Sequence, residues 1–161
     1  MKNKSFSVCF TGHRAIENPA AIKEATECEV IRLIKKGARI FYTGMAVGFD
    51  LLASEIVISL KAKYPDIQLY SVLPCPQEYQ MKPMTSNEKL KYIYVLSKAD
   101  YIVTLSDVFY NGCFLVRNSF LVDSSQCCIC YLTKGRSGTA YTVRKAWEKN
   151  IEIINIADKI K

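Results

Sequence analysis

The sequence predicts an α/β fold, in which helices cover both faces of an open, mostly parallel sheet. Two observations support this prediction. Short and almost continuously apolar segments recur along the chain, as in strands that are buried on both faces. Segments with a helical spacing of apolar residues separate them. Strands that alternate with helices in this way form parallel sheets.

The first half of the chain contains three predicted strands and two predicted helices. The strands cover residues 6–10, 39–43 and 67–73, and the helices cover residues 19–36 and 50–63. Pro19 suits a first helical turn, because it lacks the N–H that would stay unpaired there. Pro65 ends the second helix, since the residue before a proline disfavours helical backbone angles.

The second half repeats the alternation. Residues 77–84 look irregular, and Thr85 with Glu88 forms a capping box that starts a helix through residue 96. Strands are predicted at residues 100–105, 126–132 and 151–156, and helices at residues 113–123 and 139–149. In the last helix, Ala140, Val143 and Trp147 have the spacing of one face, which we expect to point inward.

Length and composition indicate one domain over residues 1–161, because half of the residues are apolar and no linker is visible. No apolar segment is long enough to span a bilayer, and residues 1–10 do not resemble a signal peptide. We therefore expect a cytoplasmic protein with no membrane partner. The net charge of +7 favours an anionic partner, but charge alone does not choose between nucleotides and nucleic acid.

The seven cysteines are expected to be reduced. Their number is odd, and Cys127, Cys128 and Cys130 lie in an apolar strand, which is typical of core thiols. His13 is the only histidine, so the sequence offers few ligands for zinc. We expect neither a metal site nor a cofactor.

Four connections that follow predicted strands contain glycine or small polar residues. They cover residues 11–14, 43–50, 106–112 and 134–139. The carboxyl ends of parallel strands meet at one edge of the sheet, and ligands bind at that edge. The sequence therefore predicts that these loops share a single crevice. The stretch of residues 41–60, a strand followed by a glycine loop and an apolar helix, is its centre.

The last loop has the chemistry of a phosphate site. Gly135, Ser137, Gly138 and Thr139 offer N–H and hydroxyl donors at the start of a helix, where the dipole favours an anion. Arg14, Arg117 and Arg136 could add bidentate contacts, although Arg136 also suits a solvated loop.

Arg117 lies in a helix apolar enough to be buried, so it needs a partner. Asp123, Asp50 and a ligand anion are the alternatives. Asp50 also suits a helix cap. His13 has the chemistry of a general base, but no catalytic triad is readable around it.

The order of these motifs resembles a known family. Thr11-Gly12-His13-Arg14, the segment from Gly44 to Asp50, Pro74-Cys75, Arg117-Asn118 with Asp123, and the segment from Gly135 to Thr139 are similar to successive motifs of YpsA-like proteins in the SLOG superfamily. That superfamily groups the DNA-processing protein DprA with the LOG phosphoribohydrolases. The resemblance covers nearly the whole chain and implies a Rossmann-like sheet with a nucleotide-derived ligand.

The resemblance also implies a set of ligand-binding residues. They are Thr11, Gly12, His13, Arg14, Gly44, Met45, Gly48, Asp50, Arg117, Asn118, Asp123, Gly135, Ser137, Gly138 and Thr139. The catalytic glutamate of the LOG loop has no counterpart, because Thr142 stands at its position. No catalytic residue is therefore assigned.

Three functions remain open at this point. The first is a nucleotide-binding module that senses or sequesters its ligand. The second is a hydrolase of an N-glycosidic or phosphate bond, with Asp50, Asp123 or Glu55 replacing the glutamate. The third and less favoured is DprA-like binding of single-stranded DNA through tyrosines, namely Tyr92, Tyr94, Tyr101 and Tyr110. The expected partner is a nucleotide-like small molecule, and homo-oligomer formation stays open.

Overall fold

A computed structural model describes residues 5–133 and 135–160. Its strands are β1 (Ser7–Gly12), β2 (Ile40–Thr43), β3 (Gln68–Leu73), β4 (Tyr101–Thr104), β5 (Cys127–Tyr131) and β6 (Glu152–Asn155). Its helices are α1 (Pro19–Lys35), α2 (Phe49–Leu60), α3 (Gln77–Met81), α4 (Ser86–Lys98), α5 (Cys113–Asp123) and α6 (Gly138–Glu148), with a short 3₁₀ helix at Ile156–Lys159. The predicted α/β class is confirmed.

The six strands form one parallel sheet in the order β4-β3-β2-β1-β5-β6. Strand β1 is central and pairs with β2 on one side and with β5 on the other. Successive strands are added outward from β1 to β4, after which the chain crosses to the opposite side of β1. The order therefore reverses between β1 and β5, which is where ligands bind in open α/β sheets.

Helices cover the sheet on both faces. On one face α1, α2 and α4 bury an apolar layer that includes Phe10, Phe41 and Ile56. On the other face α5 and α6 cover a smaller layer that includes Cys9, Leu121 and Ala146. Consecutive residues of β1 alternate between these layers, as the pleat requires.

Helix α3 corrects the prediction that residues 77–84 are irregular. The helix follows Pro76, and its Gln80 side chain donates a hydrogen bond of 2.8 Å to the carbonyl oxygen of Gly44. A five-residue helix has little stability of its own. We infer that this tertiary bond, which sequence periodicity cannot show, fixes α3.

Helix α6 corrects the predicted orientation of Trp147. The residues that α6 buries fully are Thr139, Thr142 and Ala146, while Val143 is partly buried and packs against the core as predicted. Thr142 can face inward because its hydroxyl donates a hydrogen bond of 3.0 Å to the carbonyl oxygen of Gly138. The Trp147 side chain is 74% exposed.

All seven cysteines lie within the described residues, and each is a free thiol. Cys9, Cys128 and Cys130 belong to the same apolar layer, because β1 and β5 are neighbours. Burial raises the pKa of Cys130 to about 12, and a hydrogen bond with Cys9 raises the pKa of Cys128 well above its ordinary value. These thiols therefore pack as small apolar groups.

Two further properties of the described residues bear on function. They contain no group of three or more His, Cys, Asp or Glu side chains that could hold a metal ion. None of their helices combines the length and apolarity needed to cross a bilayer.

Candidate functional site

The glycine loop, which we define as residues 44–48 between β2 and α2, is fixed at its first residue by a buried network of polar side chains. The carbonyl oxygen of Gly44 accepts hydrogen bonds from Nη1 of Arg117 and from Nε2 of Gln80. The hydroxyl of Tyr92 donates to Oε1 of Gln80 at 3.0 Å. All three side chains are buried. The network fixes the point at which the loop leaves β2.

Arg117 lies one turn into α5 and is only 4% exposed. Its Nε donates to Oδ1 of Asn118 at 2.9 Å, and its Nη1 also lies 3.5 Å from the carbonyl oxygen of Val72. No described residue accepts a hydrogen bond from its Nη2. A nearly buried guanidinium thus keeps one nitrogen available for another acceptor.

Asp50 lies in the first turn of α2 and is 5% exposed. Its Oδ2 accepts a hydrogen bond of 3.3 Å from the amide of Ala46, so it holds the glycine loop and does not cap its own helix, for which Gly48 is the cap residue. Its Oδ1 is buried and has no hydrogen-bond partner among the described residues. Asp50 is therefore an incompletely satisfied carboxyl group.

Burial raises the pKa of Asp50 to about 7. Three groups lower the pKa of Asp50, namely the charge of Arg117 and the amides of Ala46 and Gly12. The Gly12 amide does so through its dipole, because it forms no hydrogen bond with Oδ1 of Asp50. Among the described residues, Asp50 and Arg117 do not form an ion pair within 4 Å. Their attraction therefore offsets only part of the rise in the Asp50 pKa that burial causes. Burial likewise lowers the pKa of Arg117, and Asp50 raises it.

This pKa predicts that stability depends on pH. The folded pKa of about 7 exceeds the ordinary value of 3.8, so between these values the folded protein binds more protons than the unfolded chain. The contribution of Asp50 is complete below about pH 4 and is lost as the pH rises through 7. We expect urea unfolding of the wild type to lose up to about 1.4 kcal/mol per pH unit in this range, relative to Asp50→Asn. Equal slopes in both proteins would contradict the assignment.

Asp123 lies away from this network. It is the last residue of α5, which runs from the carboxyl edge of the sheet to the amino edge, and it forms an ion pair of 3.2 Å with Lys149. Of the partners suggested for Arg117 by the sequence, Asp50 contributes to its electrostatics and Asp123 does not.

Three glycines of the first two loops pack against protein atoms. A Cβ at Gly12 would lie 2.4 Å from Phe49 Cβ, and a Cβ at Gly44 would lie 2.9 Å from the Arg117 guanidinium. A Cβ at Gly48 would lie 2.4 Å from the backbone oxygen of Arg14. These glycines let the two loops, Phe49 and the Arg117 side chain pack closely together.

His13 links the loop after β1 to the end of β5, at the point where the strand order reverses. Its Nε2 accepts a hydrogen bond of 2.9 Å from the amide of Thr133, and its own amide donates to the carbonyl oxygen of Tyr131. The neighbouring Thr11 is buried within β1. His13 is therefore part of the structural connection between β1 and β5.

Met45 points into the core. It is fully buried, its backbone φ is 64°, and the hydroxyl of Ser71 lies 3.2 Å from its sulfur. A left-handed backbone at a non-glycine residue costs energy, which the hydrogen bond from the Met45 amide to Oγ1 of Thr43 helps to offset. The structure thus gives Met45 a packing role in shaping the loop.

A cavity of about 300 Å³, which we call the arginine pocket, lies on top of the polar network. The residues that matter for its chemistry are Arg14, Val47, Tyr79, Gln80, Phe114 and Arg117. Tyr79 is stacked on Phe109 at 5.7 Å between ring centroids, and Phe114 lies beneath the Arg117 guanidinium at 5.6 Å. No carboxylate is among the described residues that line the pocket. Its two guanidinium groups and aromatic walls suit a flat anionic ligand.

The sequence did not indicate Tyr79, Gln80 or Phe114 as site residues. Two of them belong to the segment predicted to be irregular, and no motif marks any of the three. Tyr92, which was considered as a DNA-stacking residue, is fully buried beneath the pocket instead.

A second cleft of about 470 Å³ adjoins the arginine pocket and shares Arg14 and Val47 with it. It lies among α1, α2 and α4, and its charged lining residues are Lys23, Glu55, Glu88 and Lys91. With charges of both signs, this cleft is less selective for an anion than the arginine pocket.

The loop after β5 lies at the same edge of the sheet but lines a different cavity from the arginine pocket. Gly135 and Arg136 line a groove of about 690 Å³ beside α6, and neither lines the arginine pocket. Ser137 uses its hydroxyl to accept a hydrogen bond of 3.0 Å from the Ala140 amide, and Thr139 is buried. The hydrogen bond from Thr133 to His13 joins the start of this loop to the loop after β1. Lys134, which opens the predicted loop, lies outside the described residues.

Comparison with known proteins matches residues 4–157 to the model of the YspA SLOG family. A UPF0398 protein from Halalkalibacterium halodurans is 34% identical over 116 residues, which is 70% of this chain and 58% of that protein. The chain thus spans less than two thirds of that relative. A UPF0398 protein from Bacillus cereus is 24% identical over 83% of this chain and 73% of its own length.

Solved structures agree with the fold. DNA processing protein A from Helicobacter pylori, studied for its single-stranded DNA binding mode, superposes with a TM-score of 0.66 at 20% identity, covering 97% of this chain and 71% of that chain. A molybdenum cofactor binding protein from Rippkaea orientalis superposes with a TM-score of 0.59 at 17% identity, covering 94% of this chain and 76% of that chain. At these identities the superpositions establish the fold.

Proposed function

Because the chain belongs to the YspA SLOG family, we propose that it binds a nucleotide or a nucleotide derivative in the arginine pocket and acts as a sensor or a sequestering module. The observation that carries the proposal is the Nη2 group of Arg117. It is a donor on a nearly buried cation, and Arg117 lines a pocket that contains a second arginine and no carboxylate among the described lining residues.

The pocket matches the two parts of a nucleotide. A phosphate between Arg14 and Arg117 would complete the hydrogen bonding of Arg117 and offset the cost of burying its charge. The rings of Tyr79 and Phe114 would then contact the base. A volume of about 300 Å³ is at the lower limit for small-molecule sites, so we expect part of the ligand to extend past Arg14 into the adjoining cleft.

The positions of the described carboxylates support binding without hydrolysis better than they support hydrolysis. The Oδ1 of Asp50 is buried and Asp50 lines neither cavity, while Asp123 lies at the opposite edge of the sheet. Thr142 is buried and bonded to Gly138. Of the three carboxylates considered as replacements for the LOG acid, Glu55 lines the adjoining cleft, whereas Asp50 and Asp123 line neither this cleft nor the arginine pocket.

The proposal is tested by adding nucleoside mono- and diphosphates and following thermal unfolding and calorimetric binding. A ligand at a hundredfold above its Kd adds about 2.7 kcal/mol of stability. Arg14→Gln should weaken binding by about 1.5 to 3 kcal/mol, the usual worth of a hydrogen bond to a charged group. Arg14 is exposed, so this variant should fold. Arg32→Gln removes the same charge from a surface ion pair on α1 and should leave binding unchanged.

Incubation with the same nucleotides, followed by detection of free base and ribose phosphate, separates binding from hydrolysis. We expect no release of base. If the wild type releases base and Glu55→Gln does not, the protein is a hydrolase and the sensor proposal is wrong. Equal binding by the wild type and Arg14→Gln would remove the arginine pocket as the site.

A further inference from the structure

Trp147 is the only tryptophan in the chain, and it lies on the outer surface of α6 with 74% of its side chain exposed. The fold does not require it there, since α6 packs through Thr139, Thr142 and Ala146. An aromatic side chain of this size is normally a large source of buried area. Its position on the surface points to a role outside the core.

Trp147 borders the groove of about 690 Å³ beside α6, which we call the Trp147 groove. Its apolar floor includes Leu132, Val143 and Ile153. Two guanidinium groups, of Arg136 and Arg144, line the same groove, and none of its described lining residues is a carboxylate. The groove therefore combines apolar and positively charged lining residues.

The spacing of Arg144 and Trp147 along α6 brings a cation and an aromatic residue onto the same side of the helix. Arg144 and Trp147 are three residues apart on α6 and so lie on neighbouring turns of one helix face. Arg136 comes from the loop at the end of the groove, where a Cβ added at Gly135 would meet no atom within 4 Å. There is consequently open space beside the backbone at this end.

We infer that the Trp147 groove binds one nucleotide, with its base stacked on Trp147 and its phosphate paired with Arg136 and Arg144. The base would stack on the indole ring of Trp147. The guanidinium groups would form bidentate hydrogen bonds with the phosphate oxygens. One exposed ring lines the groove among the described residues, so it holds a single base, whereas a single strand needs successive rings. This site is separate from the arginine pocket and shares no lining residue with it.

The unique tryptophan provides a direct test. Titration of the full chain with AMP at low salt should quench Trp147 fluorescence in a saturable way. Arg144→Gln should weaken the response at least tenfold, which is about the effect of one lost hydrogen bond to a charged group. Adenosine should bind at least tenfold more weakly than AMP, and tripolyphosphate should compete with AMP without stacking on the ring.

Control variants separate this site from the arginine pocket. Arg14→Gln should leave the fluorescence titration unchanged even if it abolishes binding in the arginine pocket, and Arg32→Gln should leave it unchanged as well. Calorimetry with Trp147→Leu should show weaker AMP binding at normal thermal stability, because the ring is exposed.

Three results would overturn the inference. The first is an absence of saturable quenching up to about 10 mM AMP, which is weaker than any useful site. The second is loss of quenching in Arg14→Gln, which would place the ligand in the arginine pocket. The third is binding of an oligothymidylate about a hundredfold more tightly than AMP, which would make the occupant a nucleic acid strand.

Discussion

Replacing Gly48 by alanine should destabilise the protein by about 3 to 5 kcal/mol. Gly48 has a φ of 93°, which is unfavourable for any residue with a Cβ. The added Cβ would also lie 2.4 Å from the Arg14 oxygen and 2.6 Å from the His13 oxygen. Both neighbours are backbone atoms of the loop after β1, so the clash cannot be relieved by a side-chain rotation.

Gly112→Ala is the matched control. Gly112 also precedes a helix, with a φ of 91°, but a Cβ there would meet nothing within 4 Å. This substitution should cost only about 1 to 2 kcal/mol, the strain of a left-handed backbone. Urea unfolding of the two variants measures the difference, which combines the clash between the loops with the backbone strain of a ψ of −122° at Gly48, compared with −5° at Gly112. Similar losses in both variants would show that the two loops do not pack as described.

The second large effect is expected at Arg117. Arg117→Met removes the guanidinium that bonds to Gly44, Val72 and Asn118 and leaves Asp50 without a nearby cation. Since several hydrogen bonds from a buried cation are lost together and Asp50 keeps a buried charge, we expect a cost of about 3 to 5 kcal/mol. The loss should be greatest above pH 7, where Asp50 is ionised, and smaller near pH 5, where it is protonated.

A double-mutant cycle identifies the cause. Adding Asp50→Asn to Arg117→Met should restore about 1 to 2 kcal/mol at pH 8, because the unpaired carboxylate is gone. Arg39→Met is the control, since Arg39 also donates to two backbone oxygens, those of Ile34 and Ala38, but from the surface. Its cost should stay below about 1.5 kcal/mol. An Arg117→Met variant no less stable than Arg39→Met would refute the role of the pair.

Much of the fold could be predicted from the sequence, because apolar runs and their spacing report burial directly. Residues 126–132 were predicted as a strand and β5 covers Cys127–Tyr131. The capping box of Thr85 and Glu88 is present with both of its hydrogen bonds. Helix α3 was missed because Gln80 holds it through a tertiary contact. The inward face of α6 was misjudged because a hydrogen bond within the helix makes Thr142 compatible with the core.

The candidate site was less accessible to sequence reasoning. The argument that Arg117 must be buried and partnered came from its apolar neighbours, and the structure does bury it. The rule that ligands bind at strand ends led to the edge of the sheet at which the arginine pocket lies. It did not show that His13 accepts a hydrogen bond from Thr133, because this contact joins residues that are 120 positions apart.

The central position of β1 has a consequence for how the chain folds during synthesis. One neighbour of β1 is complete at residue 43, and the other does not begin until residue 127. Strands β1 to β4 can therefore assemble on the ribosome while the other side of β1, with Cys9, remains an unpaired edge. At roughly 5–20 residues per second, translation from the end of β4 to the end of β5 takes on the order of seconds. During that interval the nascent half-sheet presents a strand edge to chaperones or to another nascent chain, and the arrival of β5 closes it.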